Sequence, residues 1–349
     1  MIEFGDVLVT ARRARGLTQA QLADAAQLPR VTLSRYENDL AQPDDDAVTR
    51  LADALGLAPR FLRAAGSVRG GVAVEAHMRR QNTAGPTVWR QIEARLNLYR
   101  LHARMLYEEI SVRAEHTVPR LDPVEVTPEL AAQMVRMQWR MPLGPVRKLT
   151  RWIEAAGCLI VEEDFGTSRV DGMSQWIDDY PIILLNERMP TDRKRLTLAH
   201  ELGHLALHSV EVSDPRTMEA EATAFAAELL LPADVIRPQL RTVTLGRLHD
   251  LKREWAVSMQ ALVERAHQLN TIKATQRADL YKSLSAKGWR TREPVSDELP
   301  PEYPELAADI GAALLAKGHT REEIAVLAGF APSNANHLFN PARPRLRVV

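Results

Sequence analysis

The sequence predicts a mostly α-helical protein with a small α+β region in its middle. Apolar residues recur at helical spacing over most of the chain, whereas three short β-like runs lie between residues 158 and 185. Glycine or proline interrupts the pattern near residues 66–71, 119–128 and 294–304. A chain of 349 residues is also long enough for two or three hydrophobic cores. We therefore expect several folded segments.

Residues 1–66 are predicted to form a domain of five short helices. The second helix has Leu22, Ala23 and Ala26 on its inward face. The helix boundaries are marked by residues that stop, cap or begin helices, namely Gly16, Thr18, Pro29, Pro43 and Gly56.

The rest of the chain divides into four predicted segments. Residues 67–124 are expected to be a helical linker that contains one long amphipathic helix, 86–115. Helices and β-like runs alternate in the next segment, which we expect to be one domain. The predicted segments are 125–240 for this domain, 241–295 for a helical domain that follows it, and 296–349 for a C-terminal helical segment with two helices ending near Phe339. The expected strands cover 158–161, 170–176 and 182–185.

The composition limits the class of protein. No apolar run approaches the roughly 20 residues that cross a bilayer, and the N-terminal residues lack the features of a signal peptide. The single cysteine, Cys158, excludes an internal disulfide and favours a reducing compartment. We therefore expect a cytoplasmic protein without a membrane partner. The 45 basic and 45 acidic residues balance, which argues against a protein coated with positive charge but allows a local DNA-reading surface.

The stretch TLAHELGHLALH at residues 197–208 predicts a metal site. His200 and His204 are four residues apart, so on a helix both rings point to the same side and can bind one ion. Glu201 follows the first histidine, where it can accept a proton from a water activated by the metal. Two imidazoles and one carboxylate favour Zn²⁺, with Mn²⁺ left open.

A catalytic zinc ion normally has three protein ligands, and we expect the third from the next helix, MEAEATAFAAELLLP. Glu221 shares a face with Phe225 and Glu228, and its carboxylate is expected to turn inward as that ligand. Glu219 lies two positions away and is expected to point elsewhere.

Three further side chains are interpreted as neighbours of this cleft. His208 continues the histidine face by one turn and either lines the cleft or has a structural role. Glu228 either orients a histidine or is a solvated charge. Tyr180 is expected to reach the oxyanion of the substrate, and the segment DDYPIILLNER around it to supply an edge strand that an extended peptide joins by β-augmentation.

Two longer stretches around this motif resemble a known family. PIILLNERMPTDRKRLTLAHELGHLALH and the following EAEATAFAAELLLP resemble the ImmA/IrrE family of metallopeptidases, and the resemblance covers roughly residues 125–295. It implies a zincin-like domain with a small sheet, in which Glu221 is the third ligand. Thr223 stands where the family usually has asparagine and Leu231 where it usually has methionine. The first departure could alter the hydrogen bonds around the metal.

The stretch GLTQAQLADAAQLPRVTLSRYEN at residues 16–38 is similar to the Xre/Cro family of helix-turn-helix domains. The resemblance places the third helix in the major groove of DNA. By position it assigns base contacts to Arg30, Val31 and Arg35, backbone contacts to Gln19 and Asn38, and a structural ion pair to Arg12 and Glu37. A homodimer on a two-fold operator is expected. The alternative is a domain that only dimerises or binds protein, since Asp44, Asp45 and Asp46 offset its basic residues.

Together these resemblances imply a zinc endopeptidase fused to a DNA-binding domain. Such a protein is expected to act by limited proteolysis of a transcriptional repressor, in a response to stress or in a mobile element. The alternative is a regulator of the antitoxin class with a toxin partner, in which the peptidase fold mainly senses or binds. Residues 319–339 show a weak similarity to the helix-turn-helix pattern and have no assigned role.

Overall fold

The computed structural model describes residues 3–64, 85–110, 113–209, 214–334 and 337–341. These residues are mostly helical with one small sheet, which confirms the predicted class. The helices are α1 (Phe4–Ala14), α2 (Gln19–Ala25), α3 (Arg30–Glu37), α4 (Asp45–Leu55), α5 (Pro59–Ala64), α6 (Pro86–Glu109), α7 (Pro128–Gln138), α8 (Leu149–Ala155), α9 (Thr191–Leu207), α10 (Pro215–Leu230), α11 (Ala233–Ile236), α12 (Leu245–Trp255), α13 (Met259–Gln268), α14 (Ala274–Ala286), α15 (Leu306–Ala316) and α16 (Arg321–Leu327). The strands are β1 (Leu159–Glu163), β2 (Gly172–Ile177) and β3 (Tyr180–Asn186). No described helix is long and apolar enough to cross a bilayer.

The chain divides into two compact units. The first unit contains the described residues of 1–76, 80–113 and 305–349, and the second contains those of 114–304. The helix predicted over 86–115 is α6, which ends at Glu109. It was expected to be part of a linker, yet Leu101 and Met105 on α6 are buried in the same apolar core as α1–α5. The other predicted boundaries remain predictions.

The five predicted N-terminal helices are present, and local signals explain where they begin and end. The hydroxyl of Thr18 accepts a hydrogen bond from the Gln21 backbone N–H while the Gln21 side chain caps in return. Asp44, rather than Pro43, caps α4. Gly56 ends that helix in the left-handed conformation that glycine adopts most easily, with φ at +66°.

The C-terminal residues of the first unit pack against the N-terminal helices. The Ala58 backbone N–H donates to the Gly329 carbonyl at 3.0 Å, and Arg60 donates to the Leu327 carbonyl at 2.6 Å. The second predicted helix of this segment ends at Leu327 and not near Phe339, because the described residues beyond it form turns. The similarity of residues 319–339 to a helix-turn-helix therefore extends only to its first helix.

The sheet of the second unit has the strand order β1–β3–β2. β1 pairs with β3 in parallel and β2 pairs with β3 antiparallel, with Ser174 opposite Ile183. β3 is therefore the central strand, and the expectation that it supplies a free edge for a peptide is wrong. All its residues from Pro181 to Asn186 are buried, as a central strand requires.

Helix α9 lies in the middle of the second unit. Every residue from Thr197 to Leu207 on this helix is buried, so this part of the helix has no side that faces solvent. It packs against the sheet, α7, α8 and α10. This placement puts the histidines of the helix in the interior of the unit, where neighbouring elements determine their geometry.

A buried charge cluster holds the beginning of α9. The Lys252 ammonium on α12 donates to Asp192 at 2.6 Å, to Glu293 at 2.7 Å and to Ser296 at 2.8 Å. Lys252 is fully buried, and two carboxylates with a hydroxyl compensate its charge. Within the segment predicted to be helical, 241–295, α12 and α13 are separate helices, because Ala256 adopts the left-handed conformation at the end of α12.

Candidate metal centre and DNA-reading surface

Two histidines on α9 face each other across one helical turn. The Nε2 atoms of His200 and His204 are 3.1 Å apart, and both side chains are almost completely buried. The helix begins after Pro190 and continues without a break to Leu207, which keeps the spacing of four residues in register. The two rings can therefore present their nitrogen atoms to one ion, as the sequence predicts.

Helix α10 approaches α9 closely at a glycine. A Cβ atom added to Gly203 would lie 3.1 Å from the Cα of Ala222 and 3.1 Å from the ring of Phe225. A side chain at position 203 would therefore push the two helices apart. This contact determines which face of α10 is turned toward the histidines.

The carboxylate beside the histidine pair belongs to Glu219. Its oxygens lie 3.5 Å from the Nε2 atoms of both His200 and His204. Glu219 precedes Ala222 by three residues and projects about 60° from it around the helix, whereas Glu221 projects about 100° to the other side. The geometry thus favours Glu219 as the third ligand, where the sequence favoured Glu221.

The three donors fit one zinc ion. A tetrahedral ion with ligands at about 2.0–2.1 Å requires neighbouring donors about 3.3 Å apart. The separations in the structure are 3.1 Å between the histidines and 3.5 Å from each histidine to Glu219. Among the described residues these three form the group of acidic, histidine or cysteine side chains that could hold a metal.

The protonation states also suit a metal. Burial lowers the pKa of His204 to about 3, and the hydrogen bond with Glu219 opposes this only in part. Burial would raise the pKa of Glu219, but the hydrogen bonds with His200 and His204 outweigh it and lower that pKa to about 2. At neutral pH the imidazole of His204 is therefore neutral and the carboxylate is ionised, and a divalent cation binds these forms.

Glu201 is completely buried on the same helix and has a neighbour that the sequence analysis missed. The hydroxyl of Ser174 on β2 donates to the Glu201 carboxylate at 2.7 Å. This hydrogen bond limits the orientations of the carboxylate. The signal for Ser174 in the sequence is weak, because a serine inside a strand has no local motif that marks it.

Strand β2 runs alongside α9, and successive residues on one of its faces contact successive turns of the helix. Gly172 lies close to Thr197, Ser174 bonds Glu201, and the Trp176 indole donates to the Leu205 carbonyl at 3.1 Å. Two residues of a strand rise about 6.6–6.8 Å and four residues of a helix rise about 6.0 Å, so the two elements stay aligned over this length. One face of β2 therefore lines the side of α9 that carries Glu201.

The third helix of the N-terminal domain presents the predicted base-contacting residues to solvent. Arg30, Val31 and Arg35 are exposed, and Val31 has 73% of its surface accessible although it is apolar. Leu33 and Glu37 on the same helix are buried in the domain. The helix therefore has one buried side and one exposed side, and contact of the exposed side chains with bases remains a prediction.

The predicted ion pair of Arg12 and Glu37 is present, and Gln19 also forms a hydrogen bond with Glu37. Arg12 donates to Glu37 at 2.9 Å and to the Leu17 carbonyl at 2.9 Å. The Gln19 amide donates to Glu37 at 2.7 Å. Asn38 ends α3, and its amide donates to the Ser34 carbonyl at 2.7 Å. Contacts of Gln19 and Asn38 with a DNA backbone remain predictions.

Family models match two stretches of the chain. Residues 153–267 match the model of the IrrE N-terminal-like domain, a peptidase family. The matched stretch, residues 153–267, is called the IrrE-like domain below. Residues 8–62 match a helix-turn-helix model, so the predicted fusion is confirmed. No curated protein matches the chain. A helix-turn-helix DNA-binding domain joined to a metallopeptidase-family domain supports a regulator.

The histidine rings of the IrrE-like domain have three further contacts. The Nε2 atom of His208 lies 2.8 Å from the Glu221 carboxylate, and its Nδ1 atom lies 3.0 Å from the Nδ1 atom of His204. The hydroxyl of Thr223 lies 3.5 Å from the Nδ1 atom of His200. The position where the resemblance expects asparagine thus lies beside the ring of His200, and its effect on the hydrogen bonds around a metal remains a prediction.

Glu228 has a role other than the two that were expected. It is buried and forms an ion pair with Arg265, and it accepts a hydrogen bond from Gln133 at 3.0 Å. It is therefore not a solvated charge, and its described partners are not histidines. Because Glu228 and Arg265 lie on different helices, the pair joins α10 to α13.

Tyr180 lies at the beginning of β3, opposite Ile177. Ile183, which pairs with Ser174, is three residues further along the strand, or about 10 Å at the usual strand rise. Tyr180 is therefore at the far end of β3 from the strand position that faces Glu201. Its predicted contact with the oxyanion remains a prediction.

Proposed function

We propose that this chain is a zinc-dependent endopeptidase whose DNA-binding domain brings it to transcriptional regulators. The observation that carries the proposal is the convergence of two Nε2 atoms and one carboxylate within the reach of one ion, beside a buried glutamate on the same helix. His200, His204 and Glu219 would hold the zinc ion. Three protein ligands leave one position for water, which is typical of catalytic zinc rather than structural zinc.

Bound zinc would lower the pKa of a water molecule to about 7 and polarise the scissile carbonyl. Glu201 would accept the proton of the attacking water and later deliver it to the leaving amine. The Ser174 hydroxyl donates to one oxygen of this carboxylate at 2.7 Å, and this hydrogen bond would limit the orientations of the base during both proton transfers.

The substrate would be an extended peptide bound along β2. This strand is at an edge of the described sheet, and one of its faces contacts the helix that carries Glu201. Main-chain hydrogen bonds at a sheet edge position an extended peptide whatever its sequence. The peptide-binding edge that was expected on β3 is therefore proposed for β2.

The partners of the regulator would be operator DNA and a repressor protein bound there. Arg30, Val31 and Arg35 would read bases in the major groove, and a homodimer would place two such helices on a two-fold site. Cleavage of a repressor would then switch on the genes that it controls.

The proposal is tested by incubating the purified chain with repressors encoded near its gene. We expect one discrete cut that requires zinc and disappears when a chelator removes the metal, as measured by mass spectrometry of the fragments. A cut that persists at full rate in a Glu201→Gln variant would show that another mechanism operates.

The same preparation also distinguishes the endopeptidase from the antitoxin alternative. If the chain cuts no repressor but zinc changes its affinity for operator DNA, the IrrE-like domain senses metal and the endopeptidase assignment is wrong. Fluorescence anisotropy with a labelled operator measures this second outcome on the same preparation.

A further inference from the structure

The histidine ring beyond the metal centre is held on both of its nitrogen atoms. His208 follows the last residue of α9, and its backbone N–H donates to the His204 carbonyl at 2.9 Å. Its Nδ1 atom lies 3.0 Å from the Nδ1 atom of His204, and its Nε2 atom lies 2.8 Å from Glu221. The three residues Glu221, His208 and His204 thus form a chain of contacts that ends at the Nε2 atom of a proposed metal ligand.

Counting protons along this chain gives one consistent arrangement. A metal ligand needs the lone pair of the His204 Nε2 atom, so the neutral ring carries its proton on Nδ1. That N–H donates to His208 Nδ1, which must then be an acceptor. The proton of the neutral His208 ring is therefore on Nε2, and this N–H donates to a carboxylate oxygen of Glu221. Each contact has one proton and one lone pair.

Burial makes this arrangement restrictive. The His208 side chain is completely buried, while that of Glu221 is 21% exposed. A buried ring nitrogen without a partner costs free energy, so rotating His208 away from either neighbour is unfavourable.

We propose that His208 and Glu221 are positioning residues that orient the ring of His204 toward the metal and select its Nδ1–H tautomer. Metal-bound histidines often donate their other ring N–H to a partner that sets the ring orientation and increases its basicity. This inference rests on the proposed zinc site. It assigns Glu221 a role behind the ligands, and it leaves the third ligand position to Glu219.

The test compares substitutions of His208 whose new side chains can stand in for different nitrogen atoms of the ring. The asparagine oxygen of His208→Asn can stand near the Nδ1 position and accept from His204. The amide of His208→Gln extends toward the Nε2 position, and His208→Leu accepts nothing. We expect zinc affinity to fall about 10- to 100-fold in the leucine and glutamine variants and less in the asparagine variant. Competition with a chromophoric chelator measures the affinity.

Two further variants test Glu221, the residue at the other end of this series of contacts. Glu221→Gln keeps an oxygen that accepts from His208, so its loss of affinity should be smaller than that of Glu221→Leu. The visible spectrum of bound Co²⁺ should shift in His208→Leu, because the orientation of one ligand ring changes. His249→Asn is the matched control, since His249 lies on α12 and contacts Arg253. It should bind zinc as the wild type does.

The outcomes distinguish this inference from the proposed function. If His200→Ala abolishes zinc binding but every variant at 208 binds zinc like the wild type, the positioning role is wrong and the metal site stands. Equal losses in the asparagine and glutamine variants also contradict it. If the wild type binds no zinc, both proposals fail. Circular dichroism of the metal-free variants shows whether each one is folded, and the asparagine–glutamine comparison applies even if the leucine variant unfolds.

Discussion

Helices α9 and α3 carry the two candidate functional surfaces of this chain, and they differ in what surrounds them. On α9 every residue from Thr197 to Leu207 is buried, and other elements of the protein contact the functional side chains. On α3 the side chains predicted to read DNA are exposed, and only Leu33 and Glu37 are buried. A buried site has its geometry set by the protein itself, whereas an exposed reading face gains its partners only when the ligand binds. Substitutions in the two helices should therefore fail in different ways.

The largest expected effect is on catalysis at α9. We expect Glu201→Gln to lower the rate of peptide cleavage by at least about 10²- to 10⁴-fold, because the amide cannot accept the proton of the water. Its zinc affinity should be unchanged, since Glu201 is not a proposed ligand. Single-turnover cleavage and chelator competition measure the two quantities. Glu187→Gln, at an exposed position, is the control and should cut like the wild type.

The next effect is on the stability of the unit that contains α9. Lys252→Met leaves Asp192 and Glu293 buried without their cation, and breaking one side of a buried ion pair costs about 3–5 kcal/mol. We expect the free energy of unfolding of the IrrE-like domain to fall by this amount in urea titrations. Lys282→Met, at a position that is 79% exposed, should change it little. A loss below about 1 kcal/mol for Lys252→Met would mean that the cluster does not hold α9.

A smaller effect is expected at the reading face of α3. Arg30→Ala and Arg35→Ala should each weaken binding to the cognate operator by about 1–3 kcal/mol if the arginine contacts a guanine. Peptide cleavage of a free substrate should not change. Fluorescence anisotropy at fixed salt measures the affinity, with Arg292→Ala as an exposed control in the other unit. Equal affinity of all variants for cognate DNA would favour a domain that only dimerises or binds protein.

Ser174→Ala should have a further graded effect within the metal centre. The variant removes one hydrogen bond to a charged group, and we expect the cleavage rate to fall about 10-fold while zinc affinity stays constant. Ser174→Thr keeps the hydroxyl in a residue that strands favour, and it should recover most of the rate. A loss of zinc affinity in Ser174→Ala would show that Ser174 supports the fold of the site rather than the base.

The smallest effect is a pH dependence in the unit that contains α3. His102 is buried against Phe61 and Phe330, and burial lowers its pKa to about 3. The unfolded chain binds a proton near pH 6.5 and the folded chain does not, so this residue contributes stability above pH 6.5 that is lost as the pH falls toward 3. Between pH 7 and pH 5, the melting temperature measured by calorimetry should fall less in the His102→Phe variant than in the wild type. Equal slopes would place the ring in a hydrated site.

Several features of this protein follow from the sequence alone because their causes are local. The paired histidines and Glu201 follow from a spacing that places side chains one helical turn apart. Thr18 caps the second helix, and this cap was predictable because it involves residues within the same turn. Arg12 and Glu37 were correctly paired through a family resemblance, since a shared fold brings the same positions together.

Other features were decided by tertiary structure. Glu219 rather than Glu221 faces the histidines because the contact between Gly203 and Ala222 sets the rotation of α10, and periodicity within one helix does not contain that contact. Ser174 meets Glu201 only because β2 lies beside α9. The order of strands made β3 central, although its sequence suits an edge or a centre equally. In each case the deciding interaction joins residues that are distant in the chain, and its energy depends on how whole elements pack.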